Sequence, residues 1–265
     1  MNQLIDPMLT IAVRAARKAG EVMIRKAEKL SDIAYKEKSS NDFVSEVDLL
    51  AEKEIFYHLQ KAYPDHAILS EESGLIGNPD ADYTWIIDPI DGTTNYLHGL
   101  PHYCVSIALK HRNKVELGVI YNPNSDQLFT AIRGSGSKLN DRRIRTSNRK
   151  GLNGTLVGAS PNKPYDTNMH LALKDLNNKV AGFRYSGSLA LDLAYVAAGY
   201  LDICWSLNAN EWDIAAGSLI AREAGAMVSE LNGGENYLKS GNLITGNPKL
   251  VATIMRELIT SKSSK

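Results

Sequence analysis

The chain has 265 residues, 43% of them hydrophobic, with 30 basic and 30 acidic side chains and a formal net charge of zero. That is enough apolar material for one large domain or two small ones, and a balanced charge gives a general polyanion binder nothing to work with. The two cysteines, Cys104 and Cys204, form no CxxC pair and lie in apolar runs, as buried free thiols of a reducing compartment do. Met1–Pro7 lacks the basic and apolar regions of a leader, and no stretch approaches about 18 uninterrupted apolar residues. A soluble cytoplasmic protein with no membrane part is expected.

Helical spacing of Met8, Ile11, Ala12, Ala15, Ala19, Val22 and Met23 predicts a surface helix from Pro7 to Lys29. Its apolar face is small and alanine-rich, which argues against a membrane-surface role. Lys36–Asp42 reads as a polar loop. A second helix runs from Ser45 to Ala62 and stops at Tyr63-Pro64; Asp48 in its first turn complements the helix dipole. Ala67–Ser70 is a short strand leading into Glu71-Glu72-Ser73-Gly74, and Thr84–Asp88 is a second strand ending in carboxylates. Val105–Lys110, Lys114–Tyr121 and Gln127–Ile132 form an antiparallel meander with turns between them. Lys138–Lys150 carries Lys138, Arg142, Arg143, Arg145, Arg149 and Lys150 against one acid, Asp141. It reads as a solvated hairpin and linker, or as a contact for RNA or an acidic partner.

Beyond Gly151 strands and helices alternate. Strands are expected at Leu156–Gly158, Phe183–Tyr185, Leu201–Leu207, Met227–Glu230 and Leu243–Thr245. Helices are expected at Tyr165–Lys179, Ser188–Ala198, Trp212–Ala224 and from Asn247-Pro248 to Thr260. The chain therefore divides into an α+β half, residues 1–148, and an α/β half, residues 149–265, giving a layered α/β fold.

The organising stretch is Trp85–Tyr96. An apolar, β-branched run breaks at Pro89, offers Asp88 and Asp91 three residues apart, and ends in Gly92-Thr93-Thr94-Asn95. Gly92 admits a phosphate close to the backbone, and a helical turn after it would place the amides and hydroxyls of Thr93 and Thr94 where anions are favoured. If the strands before Glu71 and Asp88 are neighbours, three carboxylates meet and need cations between them. The second acidic stretch is Asn210–Gly217. Its Asp213 opens a helix, either as a cap or as the second half's ligand to the same cluster. Glu71, Asp88, Asp91 and Asp213, with the Ile90 carbonyl, make an all-oxygen shell suited to Mg²⁺ rather than zinc or copper. Two Mg²⁺ ions sharing an aspartate would stabilise attacking and leaving oxygens in phosphoester hydrolysis, with Glu71 and the Thr93 hydroxyl activating water.

Asp88–Asn95 and Trp212–Gly217 resemble the two signatures of the inositol monophosphatase family, and Glu71-Glu72-Ser73 its upstream glutamate element. The similarity includes Asn41–Val44 and Asp192–Gly199, and it is nearest to the bacterial branch. The resemblance implies an αβαβα sandwich, a homodimer, and Mg²⁺-dependent, Li⁺-inhibited phosphomonoester hydrolysis with two or three metal ions. It implies Glu71, Asp88, Ile90, Asp91 and Asp213 as metal ligands. Glu71 and Thr93 fall on the water-activating pair, with Asp48 supporting them. Gly92, Thr93 and Thr94 fall on the phosphate cradle, and Asp91, Arg184, Gly187, Ser188, Leu189, Ser206 and Asp213 on the substrate side. Two departures bear on selectivity. Ser206 stands where a glutamate commonly binds sugar hydroxyls, and Leu189 replaces a small residue, narrowing the pocket. Myo-inositol 1-phosphate is the default small phosphorylated polyol or sugar. The same centre would serve a fructose-1,6-bisphosphatase or an NADP phosphatase. The alternative of another class is a regulatory binding protein of the transcription or ribosomal RNA machinery.

Overall fold

The computed structural model describes residues 2–39, 42–161 and 176–263. An eight-stranded sheet has the spatial order 142–143, 136–139, 127–132, 114–122, 104–111, 83–91, 67–70, 74–76. A five-stranded sheet has the order 182–184, 156–161, 203–207, 243–246, 227–229.

Five layers follow from which residues each sheet face buries. In the strand Tyr83–Asp91, Trp85 and Ile87 pack with Ala12, Ala19, Val47 and Ile55 of the helices Asn2–Ala27 and Glu46–Ala62. Ile86, between them, points to the other face, against Leu193, Ile214 and Ile220 of the helices Leu189–Ala198 and Glu211–Glu223. This two-sided burial is why the run reads as continuously apolar and not as alternating. The same helix pair meets Cys204, Val228 and Leu243 of the five-stranded sheet. The opposite face of that sheet, with Val157, Ile203 and Trp205, is covered by Leu250, Val251 and Ile254 of the final helix, Pro248–Ser263. The order is helix pair, sheet, helix pair, sheet, helix: the αβαβα sandwich.

Several boundaries differ from expectation, each for a local reason. The first helix spans Asn2–Ala27 with Pro7 inside it. Ile5 is buried in the core and carries the helix upstream of Pro7, whose missing amide costs one bond in an end turn. The Lys36–Asp42 segment is not simply a loop: Tyr35–Ser39 and Asp42–Ser45 pair antiparallel, with Tyr35 and Phe43 in edge-to-face contact. Strand Tyr83–Asp91 does not end at Asp88. It continues through Pro89, because the register shifts between Asp88 and Asp91 and a bulged proline owes the ladder no amide. The strand Gly74–Ile76 and the short helix Tyr237–Ser240 had no clear signal. The helix expected over Tyr165–Lys179 lies mainly outside the described residues, although Leu176 and Asn177 are helical. The meander, the helices begun by Ser45 and Ser188, and the turn at Gly199 stand where expected. Among the described residues no helix is long and apolar enough to cross a membrane.

Close backbone approach sets how the central helix pair sits. A β-carbon at Gly118, in the strand Lys114–Asn122, would lie 2.8 Å from the Ala216 carbonyl oxygen, and one at Gly217 would lie 2.6 Å from Leu193. Gly118→Ala should therefore push the helix Glu211–Glu223 off the sheet and cost about 1–3 kcal/mol. A urea unfolding midpoint equal to that of the parent protein would contradict this.

Candidate active site

Strands Ala67–Ser70 and Tyr83–Asp91 are parallel neighbours, Ser70 opposite Ile87. They bring Glu71 beside Asp88 and Asp91, as the sequence required. The Glu71 amide donates to the Ile87 carbonyl at 3.1 Å. Buried Glu52 organises the turn that carries Glu71: it accepts the hydroxyls of Ser70 and Ser73, each at 2.6 Å. Asp88 is 2% exposed and takes the Ile90 amide on Oδ1 at 2.9 Å. Asp91 is held through one oxygen: Oδ2 accepts the Ser188 hydroxyl at 2.6 Å and the Ala190 amide at 2.7 Å. These contacts join the sheet of the first half to the helix Leu189–Ala198 of the second.

Asp213 comes from that second half. Its Oδ2 accepts the Asn210 amide at 2.8 Å, closing the first turn of the helix Glu211–Glu223. The turn is pinned to the sheet near Asp88. Ser106, the cross-strand partner of Asp88, donates to the Trp212 carbonyl at 3.2 Å, and Lys110 pairs with Glu211 at 2.7 Å. Asp213 is therefore both a helix cap and a member of the acidic cluster.

Asp48 is buried and has two functions. Oδ2 accepts the amide and hydroxyl of Ser45 at 2.8 and 2.5 Å, completing a capping box, while Oδ1 accepts the Thr93 hydroxyl at 2.8 Å. Ile90 O lies 3.0 Å from the same hydroxyl. Gly92, at φ 103°, starts the short helix Thr93–Leu97. A β-carbon at Gly92 would lie 3.1 Å from His102 O and 3.2 Å from Gly187 O, so only glycine fits this turn unstrained. Thr94 is exposed beside it.

The charge balance is uneven. Burial first, then Glu71, Asp91, Asp213 and Asp48, hold the Asp88 carboxyl well above its ordinary range. Burial raises Asp91 to about 6, against the hydrogen bonds of Ser188 and Ala190 that favour its charge. Burial also raises Asp48. Carboxylates crowded in this way hold protons at pH values where they are ordinarily ionised, and a divalent cation reverses that logic. The donors are all oxygen, as Mg²⁺ prefers. The side chains are not already gathered as a cage: among the described residues no three His, Cys, Asp or Glu converge tightly enough to hold a metal. Glu71 is already paired: the Lys38 ammonium sits 3.0 Å from Glu71 and 2.6 Å from Glu72. Burial raises Glu72 to about 7 even so. The set fits a hard cation in donor type and charge, with Lys38 competing for Glu71.

The proposed substrate side is more dispersed. Gly187 and Ser188 lie in the loop that reaches Asp91. Leu189 is in the packed core, and Ser206, 1% exposed, donates to Ser160 O at 3.0 Å within the sheet. Arg184 is exposed at the end of the edge strand Gly182–Arg184 and donates to Phe183 O. None of its described contacts reaches the acidic cluster. Sequence reasoning passed over Lys38, Glu52 and Asn95. For Lys38 the available signal was alternation across Tyr35–Ser39; for Glu52 it was an acid on the buried face of a helix. Both cysteines are buried and free, with burial pushing each thiol well up, so neither is a ready nucleophile.

Fold and site together define a layered α/β protein in which the buried Asp88 carboxyl feels the charges of Glu71, Asp91, Asp213 and Asp48. The chain belongs to the inositol monophosphatase family, whose model matches residues 4–263. It is 45% identical to the Escherichia coli K12 protein called Nus factor SuhB over 257 residues, 96% of each chain. It resembles the crystal structure of extragenic suppressor protein suhB from Bartonella henselae at TM-score 0.92 and 42% identity, covering 95% and 98% of the two chains. A Thermotoga maritima IMPase structure matches at TM-score 0.84 and 32% identity, covering 98% and 99%.

Asp192 is a further buried acid behind this site, 2% exposed, with burial raising it to about 7 from an ordinary 3.8. Between those values the folded protein keeps a proton that the unfolded chain has released, so stability falls as pH rises through the window. Asp192→Asn should flatten that fall and stabilise the protein at pH 8 relative to the parent by on the order of 2–4 kcal/mol. Urea unfolding at pH 4 and pH 8 measures it; parallel pH profiles for parent and variant would contradict it.

Proposed function

We propose that the protein is a Mg²⁺-dependent phosphatase of small polyol or sugar phosphates, with myo-inositol 1-phosphate as the default substrate. The observation that carries this is that Glu71, Asp91, Asp213 and Asp48 all raise the carboxyl of buried Asp88, with the Gly92–Thr94 turn following it in the chain. Mg²⁺ bound there would polarise the phosphoryl oxygen and acidify a water. Glu71, Asp88, Asp91, Asp213 and the Ile90 carbonyl are the residues that would hold it. The Thr93 hydroxyl donates its hydrogen bond to Asp48, leaving a Thr93 oxygen lone pair free to accept a hydrogen bond from the attacking water. Glu71, once released by Lys38, receives that water's other proton as the water oxygen bonds to phosphorus; the phosphorus–oxygen bond to the alcohol breaks, and the departing oxygen takes a proton from solvent. Gly92, Thr93 and Thr94 line the phosphate. Gly187, Ser188, Arg184, Leu189 and Ser206 belong to the side that selects the alcohol. A homodimer and inhibition by Li⁺ complete this reading on family resemblance, a division near residue 148 on the change to alternating strands and helices beyond Gly151, and a cytoplasmic location on the two buried free thiols.

Phosphate release from myo-inositol 1-phosphate, fructose 1,6-bisphosphate and NADP, each with Mg²⁺, tests it. Failure to hydrolyse any of them would sink the proposal. A preference for the bisphosphate would favour the alternative supported by a 28% identical gene product whose structure is called inositol monophosphatase–fructose 1,6 bisphosphatase. Asp88→Asn should lower kcat by roughly 100-fold or more while leaving the unfolding transition in place.

A second reading, a role in the transcription machinery, is favoured by the name Nus factor SuhB carried by relatives at 45% identity. Arg142, Arg143, Arg145, Arg149 and Lys150 are exposed and present a basic surface, although charge on the edge strand Arg142–Arg143 also blocks sheet-to-sheet pairing. Reversing Arg142, Arg143 and Arg145 to glutamate should abolish co-purification with RNA polymerase or ribosomal RNA without altering turnover. Unchanged partners would remove this surface from consideration.

A further inference from the structure

Asn95 closes the glycine turn, and none of the roles above falls on it. Its side chain lies between two segments far apart in sequence. Nδ2 donates to the His102 carbonyl at 2.7 Å and to the Ser186 carbonyl at 2.8 Å, so both amide hydrogens are used. Its backbone carbonyl accepts the Leu100 amide at 2.9 Å, fixing the residue on its own side. Gly187 is seated against the amide. A β-carbon there would lie 2.9 Å from both Nδ2 and Oδ1 of Asn95, and φ is +82°. Asn95 thus draws the loop 186–188 down onto the first half of the chain. From that loop onward come the two donors to Asp91 Oδ2, the Ser188 hydroxyl and the Ala190 amide. Behind the loop, His102 Nε2 lies 3.9 Å from Oδ1 of buried Asp192.

We propose that Asn95 is a positioning residue for Asp91: by clamping Ser186 and Gly187 to the first half of the chain, it fixes the Ser188 and Ala190 donors and hence the orientation of the Asp91 carboxylate. The effect on cation binding rests on the phosphatase reading; the clamp itself does not. Such supporting partners typically change metal affinity or activity by about 10–100-fold. A chain without the clamp would keep its ligands and lose their alignment.

Asn95→Asp tests this with little change of volume, since it replaces two donors by an acceptor facing two carbonyl oxygens. In the full-length protein, hydrogen exchange at the Ala190 amide should speed up by about tenfold or more, while Ile107 and Val119 in the sheet interior stay as they were. The Mg²⁺ dissociation constant from calorimetric titration should rise about 10–100-fold, with kcat falling in step and substrate KM little changed. Gly187→Ala pushes the same loop from the opposite side and should reproduce these changes, which covers the case of an Asn95 variant that does not fold. Ala190 exchange unchanged in either folded variant would overturn the clamp. Should the parent protein bind no Mg²⁺ and hydrolyse nothing, the phosphatase reading falls, and the Ala190 exchange alone decides for or against Asn95.

Discussion

Like-charge repulsion is the constraint around which this molecule is built. Asp88 is almost wholly buried, yet Glu71, Asp91, Asp213 and Asp48 all act on it. Burial and mutual repulsion both oppose this arrangement, so each of these carboxylates needs something to hold it. Glu71 rides on a turn fixed by Glu52. Asp91 is pulled across by Ser188 and Ala190. Asp48 and Asp213 are each locked into the first turn of a helix. The two sheets and the helix pair between them bring these four carboxylates near enough for their charges to be felt at Asp88.

Much of this was legible in the sequence because the elements announce their ends. Ser45 and Ser188 start helices, Gly199 stops one, and the apolar run Trp85–Ile87 could only be a strand buried on both faces. The parallel pairing of 67–70 with 83–91 was the one long-range assumption needed to bring Glu71 to Asp88, and the two strands do pair. Less legible was whatever depends on a side chain's direction. Ser206 bonds to Ser160 within the sheet and Leu189 packs in the core, contacts that no pattern in the sequence specifies. Lys38 lay in a stretch read as polar and irregular, because one hairpin of alternating charged residues looks like a loop until its partner strand is known. Pro89 misled for a related reason: a proline ends a strand except at a bulge, and a bulge leaves no mark in sequence.

The two proposed activities would use different parts of the molecule. Hydrolysis would draw on the interior, where burial sharpens every charge. Association with other macromolecules would draw on the exposed basic residues near the edge strand Arg142–Arg143. The two regions are five strands apart in the eight-stranded order: the strand carrying Asp88 is sixth and the basic edge strand first. A protein can therefore alter one without disturbing the other.

The double duty of Asp48 and Asp213 has an evolutionary consequence. Each is the acid that closes a helix's first turn, so each contributes to folding whether or not any substrate is ever turned over. A lineage that abandoned catalysis would still be selected to keep them. Persistence of these two aspartates among relatives is therefore poor testimony to enzymatic descent. Glu71 and Asp88, which cap nothing, are the positions whose drift would record when chemistry ceased to matter.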